Sequence, residues 1–394
     1  MFDNLFSKKQ KSTHSLTDIN HRFNLIGRVG QGSMSKVWKA VDLQSGRKVA
    51  LKVLDKEKTK KYEARFTGLN KPSEGDVAVS LHHPHVVKTY DFGWTQDDEM
   101  FLVMEFIEGV GLSLLVDLQN EEMKRYRLRY MIQIGEALKY FHQQNWIHRD
   151  VCPRNVMVSE DKQIKVIDFG LCVPNTTDFR KPGNRTGTAS YMAPELIKRQ
   201  PTDDRLDIFS YAVTCFEMYT KRFPWDAAMT IDAVLQHINK PPHELEKLVP
   251  GIDKKVAAAI MKGLAANPDD RWQEAAEMVA VFRDAEARMV KAARAAAAKR
   301  KQKAEEQKKA LAAKKAAQKS KPTDPEPNAE GTGKSGETPA EPGNESAEEK
   351  QAPTDSVPKS QKKTEQNNKA KPAKAVVSQT AAPESPKAGD HQEK

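Results

Sequence analysis

His148-Arg149-Asp150-Val151-Cys152-Pro153-Arg154-Asn155, HRDVCPRN in one-letter form, gathers a carboxylate, two guanidinium groups, an amide, an imidazole and a thiol into eight residues. So many polar and ionisable groups in one short stretch raise the question of a catalytic loop. The open question is what Cys152 does among them. On its N-terminal side, RYRLRYMIQIGEALKYFHQQ sets Leu128, Met131, Ile132, Gly135, Leu138 and Phe141 on one face at the helical period. On its C-terminal side, the brief strands VMVS and QIKVID flank a turn at Glu160-Asp161. IDFG, Ile167 to Gly170, then ends a buried strand on a carboxylate and a glycine, which suits either a cation ligand or an ordinary turn.

Further out, RLDIFSYAVTCFEMYT, MTIDAVLQHI, DKKVAAAIMKGLAAN and WQEAAEMVAVFRDAE all carry the helical period. Toward the N-terminus the pattern changes. RFNLIGRV, KVWKAVD and RKVALKVLD are short, rich in Val, Ile, Leu and Trp, and separated by Gly- and Ser-bearing turns, as in an antiparallel meander. A charged connection from Lys56 to Lys71 follows, and Ser73 is placed to cap a short helix running to Leu81. VVKTYDFGW and MFLVMEFI read as two more strands. The expectation is an α+β chain with a small sheet-rich part before a larger helical one.

Composition sets the limits of the folded part. All five tryptophans of the 394 residues lie before Arg283, and large apolar side chains nearly vanish beyond it. The rest cannot bury enough surface to offset the entropy of ordering. The formal charge of +10 also has one address: Ala285 to Lys321 holds 13 Lys or Arg against 3 Glu. That segment consists of strong helix formers without an apolar stripe, so a solvated helix is expected over 284–321 and disorder over 322–394. Three cysteines without disulfide or zinc spacing indicate a reducing compartment. No apolar run is long enough to span a bilayer, and residues 1–22 form a polar leader without a signal-peptide core. A cytoplasmic protein is expected.

Several short motifs acquire meaning from their order. VGQGSMSKV, a Gly-rich turn between the first two strands, is followed by VALK, a Glu ahead of His83-Pro84, HRDVCPRN, IDFG and YMAPE. Each alone reads as a hairpin turn, an edge lysine or a helix start. Together, over about Phe23 to Arg283, they resemble the protein kinase family, most closely the bacterial-type serine/threonine kinases. The resemblance implies a bilobal fold, with an N-lobe over about 23–106 and a C-lobe over about 107–283. It also implies ATP and Mg²⁺ as cofactors, and proteins bearing Ser or Thr as substrates.

Residue by residue, the resemblance implies that the backbone at Val29, Gly30, Gln31, Gly32 and Ser33 covers the phosphates, although Ser35 stands where a third glycine is usual. Val37 and Ala50 would sandwich adenine, Met104 would guard the back of the pocket, and Glu105 C=O and Ile107 N–H would bond the base. Lys52 would hold the α- and β-phosphates, paired to Glu74, with Glu63 as the alternative partner. Pro72 and Gly75 are poor helix residues, so the helix carrying Glu74 should be short. Asp150 would accept the hydroxyl proton, while Asn155 and Asp168 would hold Mg²⁺. Glu195 with Arg271, and Asp207 beneath the HRD backbone, would be structural.

Cys152 stands where serine/threonine kinases carry a lysine for the γ-phosphate. A thiol cannot replace that cation, and Asp150 beside it disfavours the thiolate. Losing such a charge costs about 10²–10³ in rate by analogy with oxyanion-hole deletions. Arg154, four residues after Asp150, matches the arginine that tyrosine kinases use instead. Pro153 and GTASYMAPE are serine/threonine-like, with Thr188 expected on Asp150. Arg149 points to a phosphate in the activation segment, with Thr176, Thr177 and Thr186 as candidates for autophosphorylation. The alternative is a pseudokinase scaffold acting through its surfaces and its basic tail. The basic helix suits a nonspecific acidic partner, nucleic acid or acidic protein, or serves only as a solvated spacer.

Overall fold

Alternation in RKVALKVL divides one strand between two environments. Val49, Leu51 and Val53 point to one face and join Phe23, Ala40, Phe101 and Val103 in a buried cluster, while Ala50 and Lys52 point to the other. The structure, a computed structural model, describes residues 16–31, 34–182, 186–226 and 240–319.

The N-terminal elements are β1 (Leu16–Thr17), α1 (Ile19–Arg22), β2 (Phe23–Gln31), β3 (Ser35–Asp42), β4 (Arg47–Leu54), α2 (Lys56–Glu63), α3 (Glu74–Ser80), β5 (Thr89–Thr95) and β6 (Met100–Glu105). The strands form one sheet in the order β1-β5-β6-β4-β3-β2. All pairs are antiparallel except β1 with β5, where Leu16 faces Trp94 and Thr17 faces Thr95. Leu16 and Thr17 of the polar leader are thus part of the sheet. Asp18 caps α1 through Asn20 N–H at 2.9 Å, and Arg22 reaches both Asp42 and Asp91.

The charged connection after β4 contains a helix that the sequence reading did not assign. Asp55 accepts from Lys58 N–H at 3.0 Å and starts α2, which continues as a 3-10 turn, Ala64–Phe66. Ser73 caps α3 in a capping box, its hydroxyl accepting from Asp76 N–H and the Asp76 carboxylate accepting from Ser73 N–H.

The C-lobe follows with β7 (Gly109–Gly111), α4 (Leu112–Leu118), α5 (Glu121–Gln143), β8 (Trp146–Ile147), β9 (Val156–Ser159), β10 (Ile164–Val166), β11 (Val173–Pro174), α6 (Thr177–Arg180), α7 (Pro194–Ile197) and α8 (Arg205–Thr220). Asn120 caps α5, whose apolar face includes the Leu128, Met131, Ile132, Leu138 and Phe141 read from the sequence. Twelve of the sixteen residues of α8 are buried, as in a helix at the centre of a core. The final helix, Ala275–Lys319, runs 45 residues. Ala275, Met278, Val279, Phe282 and Ala285 are buried, and every side chain from Met289 to Ala313 is exposed. The helix expected for MTIDAVLQHI and the disorder expected over 322–394 lie outside the described residues.

Candidate active site

β4 carries Lys52 to the edge of the cleft between the lobes. Its ammonium lies 2.5 Å from Glu74 Oε1 and 3.0 Å from Asp168 Oδ1. Burial alone would lower its pKa, but the Asp168 and Glu74 carboxylates outweigh that and raise it, so Lys52 stays charged. Glu74, and not Glu63, is the carboxylate on Lys52. Gly75 is needed where it stands: a Cβ there would fall 2.2 Å from the Phe92 ring. Asp168 is pushed upward by burial, yet Lys52 and the Gly170 N–H hold it below the usual carboxylate value. Phe169 is buried beside Phe141 and His148.

Sheet register aligns further side chains with Lys52. Val37 lies opposite Gly30 and Lys52, and Ala50 lies opposite Met104, so the four side chains Val37, Ala50, Lys52 and Met104 share one face. Val29 is exposed, Gln31 pairs with Lys36, and Gly32 and Ser33 lie outside the described residues. Glu105 ends β6; its carboxylate accepts from Lys88 N–H and Lys165 Nζ, and Ile107 packs against the core just after it.

The catalytic-loop stretch is held from below. Buried Asp207, near the start of α8, accepts from His148 N–H at 2.8 Å and Arg149 N–H at 2.7 Å. Arg149 takes a left-handed φ of 69°, an uncommon backbone state that costs energy and clusters at functional sites. From this base Asp150 projects between two donors. Thr188 N–H reaches its Oδ1 at 2.8 Å, and Asn155 Nδ2 reaches its Oδ2 at 2.7 Å. Gly187 makes the first approach feasible: its φ is +130°, and a Cβ there would sit 2.7 Å from Arg149 O.

Arg154 turns toward the same point. Its Nη2 donates to Thr188 Oγ1 at 3.1 Å, so guanidinium, threonine and Asp150 are linked in sequence. Cys152 is 1% exposed and packed in the core. Burial, and then the Asp150 carboxylate, push its thiol up to about 12. It supplies neither a cation nor a nucleophile.

Glu195 and Arg271 meet in a buried two-pronged ion pair at 2.6 and 2.7 Å. Of the three activation-segment threonines, Thr176 and Thr177 are exposed and Thr186 is buried. Sequence reasoning missed two groups near the site. Tyr191 donates to the Glu217 carboxylate, and Tyr62 with Lys71 enters from the charged connection. Both pairs join residues distant in sequence or set in a charged run, where no period marks them.

Asn155 uses its amide nitrogen on Asp150, which leaves its carbonyl oxygen as the donor suited to a hard cation; Asp168 adds a half-buried carboxylate. Among the described residues no group of three His, Cys, Asp or Glu side chains forms a metal cage. Two oxygen donors of this kind would suit a hard cation such as Mg²⁺.

Lys52, Glu74 and Asp168 thus meet on one side, and Asp150, Asn155, Thr188 and Arg154 are linked on the other. The family model of the protein kinase domain matches residues 23–281, and the chain belongs to the protein kinase family. It is 32% identical over 268 residues to a probable serine/threonine-protein kinase of Clostridium acetobutylicum, covering 67% of this chain and 40% of that protein. It is 31% identical to the serine/threonine-protein kinase PknB of Mycobacterium leprae, covering 66% and 42%, and 29% identical to PrkC of Bacillus subtilis, covering 68% and 41%. The chain thus spans about two fifths of the length of these curated relatives. Among the described residues no helix is long and apolar enough to cross a membrane.

Proposed function

We propose that this chain is an ATP- and Mg²⁺-dependent protein serine/threonine kinase. The observation that carries the reading is the linked set Arg154–Thr188–Asp150–Asn155 facing the cleft that Lys52 and Asp168 border. Phosphoryl transfer asks a protein chiefly for positioning and charge stabilisation. Lys52, fixed by Glu74, holds the α- and β-phosphates. Asp150 aims the acceptor hydroxyl and takes its proton as oxygen bonds to the γ-phosphorus and the bond to ADP breaks. Arg154 supplies the positive charge that Cys152 lacks, since a guanidinium binds phosphate oxygens through two donors. Asn155 and Asp168 would hold Mg²⁺, which would supply positive charge against the phosphates. The backbone of the Gly-rich turn, with Val37, Ala50, Glu105 and Ile107, receives the nucleotide.

The acceptors are Ser and Thr of proteins in the cytoplasm, with the chain's own Thr176 and Thr177 among them, because both are exposed while Thr186 is 5% exposed. The long helix adds a nonspecific electrostatic site for an acidic protein or nucleic acid, favoured by exposed Lys and Arg on all sides of it. The test is γ-phosphate transfer to the chain itself and to a generic protein acceptor, with Asp168→Ala as control. Activity that vanishes in the variant supports the kinase. Equal signals, or none, leave a pseudokinase scaffold as the better reading.

A further inference from the structure

The connection between Asp55 and Ser73 is strongly charged, yet α2 and the 3-10 turn after it each bury one side chain, Tyr62 and Phe66. The two rings meet edge to face at 5.3 Å. Both also touch the activation segment, more than a hundred residues on: Tyr62 donates its hydroxyl to Leu171 C=O at 3.3 Å, and the Phe66 ring lies 5.9 Å from that of Phe179. Lys71, three residues before Glu74, holds its ammonium over Tyr62 at 5.4 Å and Phe66 at 5.9 Å. The same ammonium donates to Pro72 C=O at 3.2 Å, and burial lowers its pKa.

This arrangement answers a weakness in α3. Glu74 is the first residue of a helix only seven residues long, so no turn precedes it to fix its side chain. Helix ends fray with little free-energy cost unless something fastens them. The capping box fixes the turn itself, but not its distance from Lys52.

We propose that Tyr62, Phe66 and Lys71 form a positioning strap that grips the activation segment at Leu171 and Phe179 and so holds Glu74 against Lys52. The strap ties the Lys52–Glu74 pair to the placement of the activation segment through side-chain packing. Its kinetic consequence rests on the kinase reading above; its structural consequence does not.

The test uses the full chain with Phe179→Ala, which removes a half-buried ring at the far end of the strap. Amide exchange over Gly75 to Leu81 is expected to quicken by about tenfold or more, while the buried start of the helix Ala275–Lys319 keeps its rate. The kcat/KM for ATP is expected to fall about tenfold, but by less than about twofold in a Glu74→Gln background, because the strap acts through that carboxylate. Unchanged exchange overturns the strap, and so does an equal loss in both backgrounds. Faster exchange in a protein that transfers no phosphate keeps the strap and removes the kinase. Should Phe179→Ala not fold, Tyr62→Phe removes the hydroxyl that bonds Leu171 while keeping the ring, and the same exchange readout decides.

Discussion

Arg154 and Cys152 divide a task that one residue could have carried. The guanidinium reaches Thr188 from a side chain two positions after the thiol, and the thiol lies buried behind it. Arg154→Ala should therefore lower kcat by about 10²–10³, the range for losing one preorganised charge stabiliser, and Arg154→Lys should recover only part because a single ammonium lacks the two-donor fork. Steady-state transfer rates at saturating ATP check this; a loss under about threefold would show that the cation lies elsewhere. Burial decides cysteine reactivity as well. Cys152, Cys172 and Cys215 are all buried, and the first has its thiol pushed up to about 12 by burial and Asp150. At pH 8 that leaves a thiolate fraction of roughly 10⁻⁴, so a thiol reagent should label none of the three in the native chain and all three after unfolding. Rapid native labelling of Cys152 would contradict its packing.

Elements with a strong period were legible and those with long-range partners were not. The meander β2–β4 and the helix α5 followed from alternation and from the 3.6 spacing, and Glu74 was found by its distance before His83-Pro84. The helix α2 gave no such signal, because KEKTKKYE offers one apolar anchor whose partner lies at Leu171. β1 is two residues long and pairs in parallel with a strand some eighty residues away, which no local pattern announces. That Lys52 would meet Asp168, and Asp150 would meet Asn155, was legible from the family's motif order, whereas Lys71 and Glu217 depend on tertiary placement. Gly75 shows how one reason can hide another. Its poor helix propensity pointed to a short helix, but its lack of a side chain is what lets Phe92 pack on α3. Gly75→Ala should cost about 1–3 kcal/mol through overpacking, despite the better helix propensity of alanine. Denaturant midpoints at constant m-value measure it, and a gain in stability would mean that Phe92 moves aside freely.

At the scale of the whole molecule, the family match at 23–281 is narrower than the packed structure. Phe282 and Ala285 are buried beyond its C-terminal limit, and β1 with α1 lies before its N-terminal limit. A fragment cut to 23–281 should melt several degrees below one spanning 16–319, since even about 1 kcal/mol shifts the midpoint of a domain this size by about 2–4 °C. Differential scanning calorimetry on the two fragments tests this, and equal midpoints would make both additions dispensable. The shorter fragment should also self-associate at high concentration, which light scattering would detect. The cause is the hem that Leu16 and Thr17 sew along Trp94 and Thr95. Unpicked, that border of the sheet offers bare amides and carbonyls to any passing chain, its own copies included.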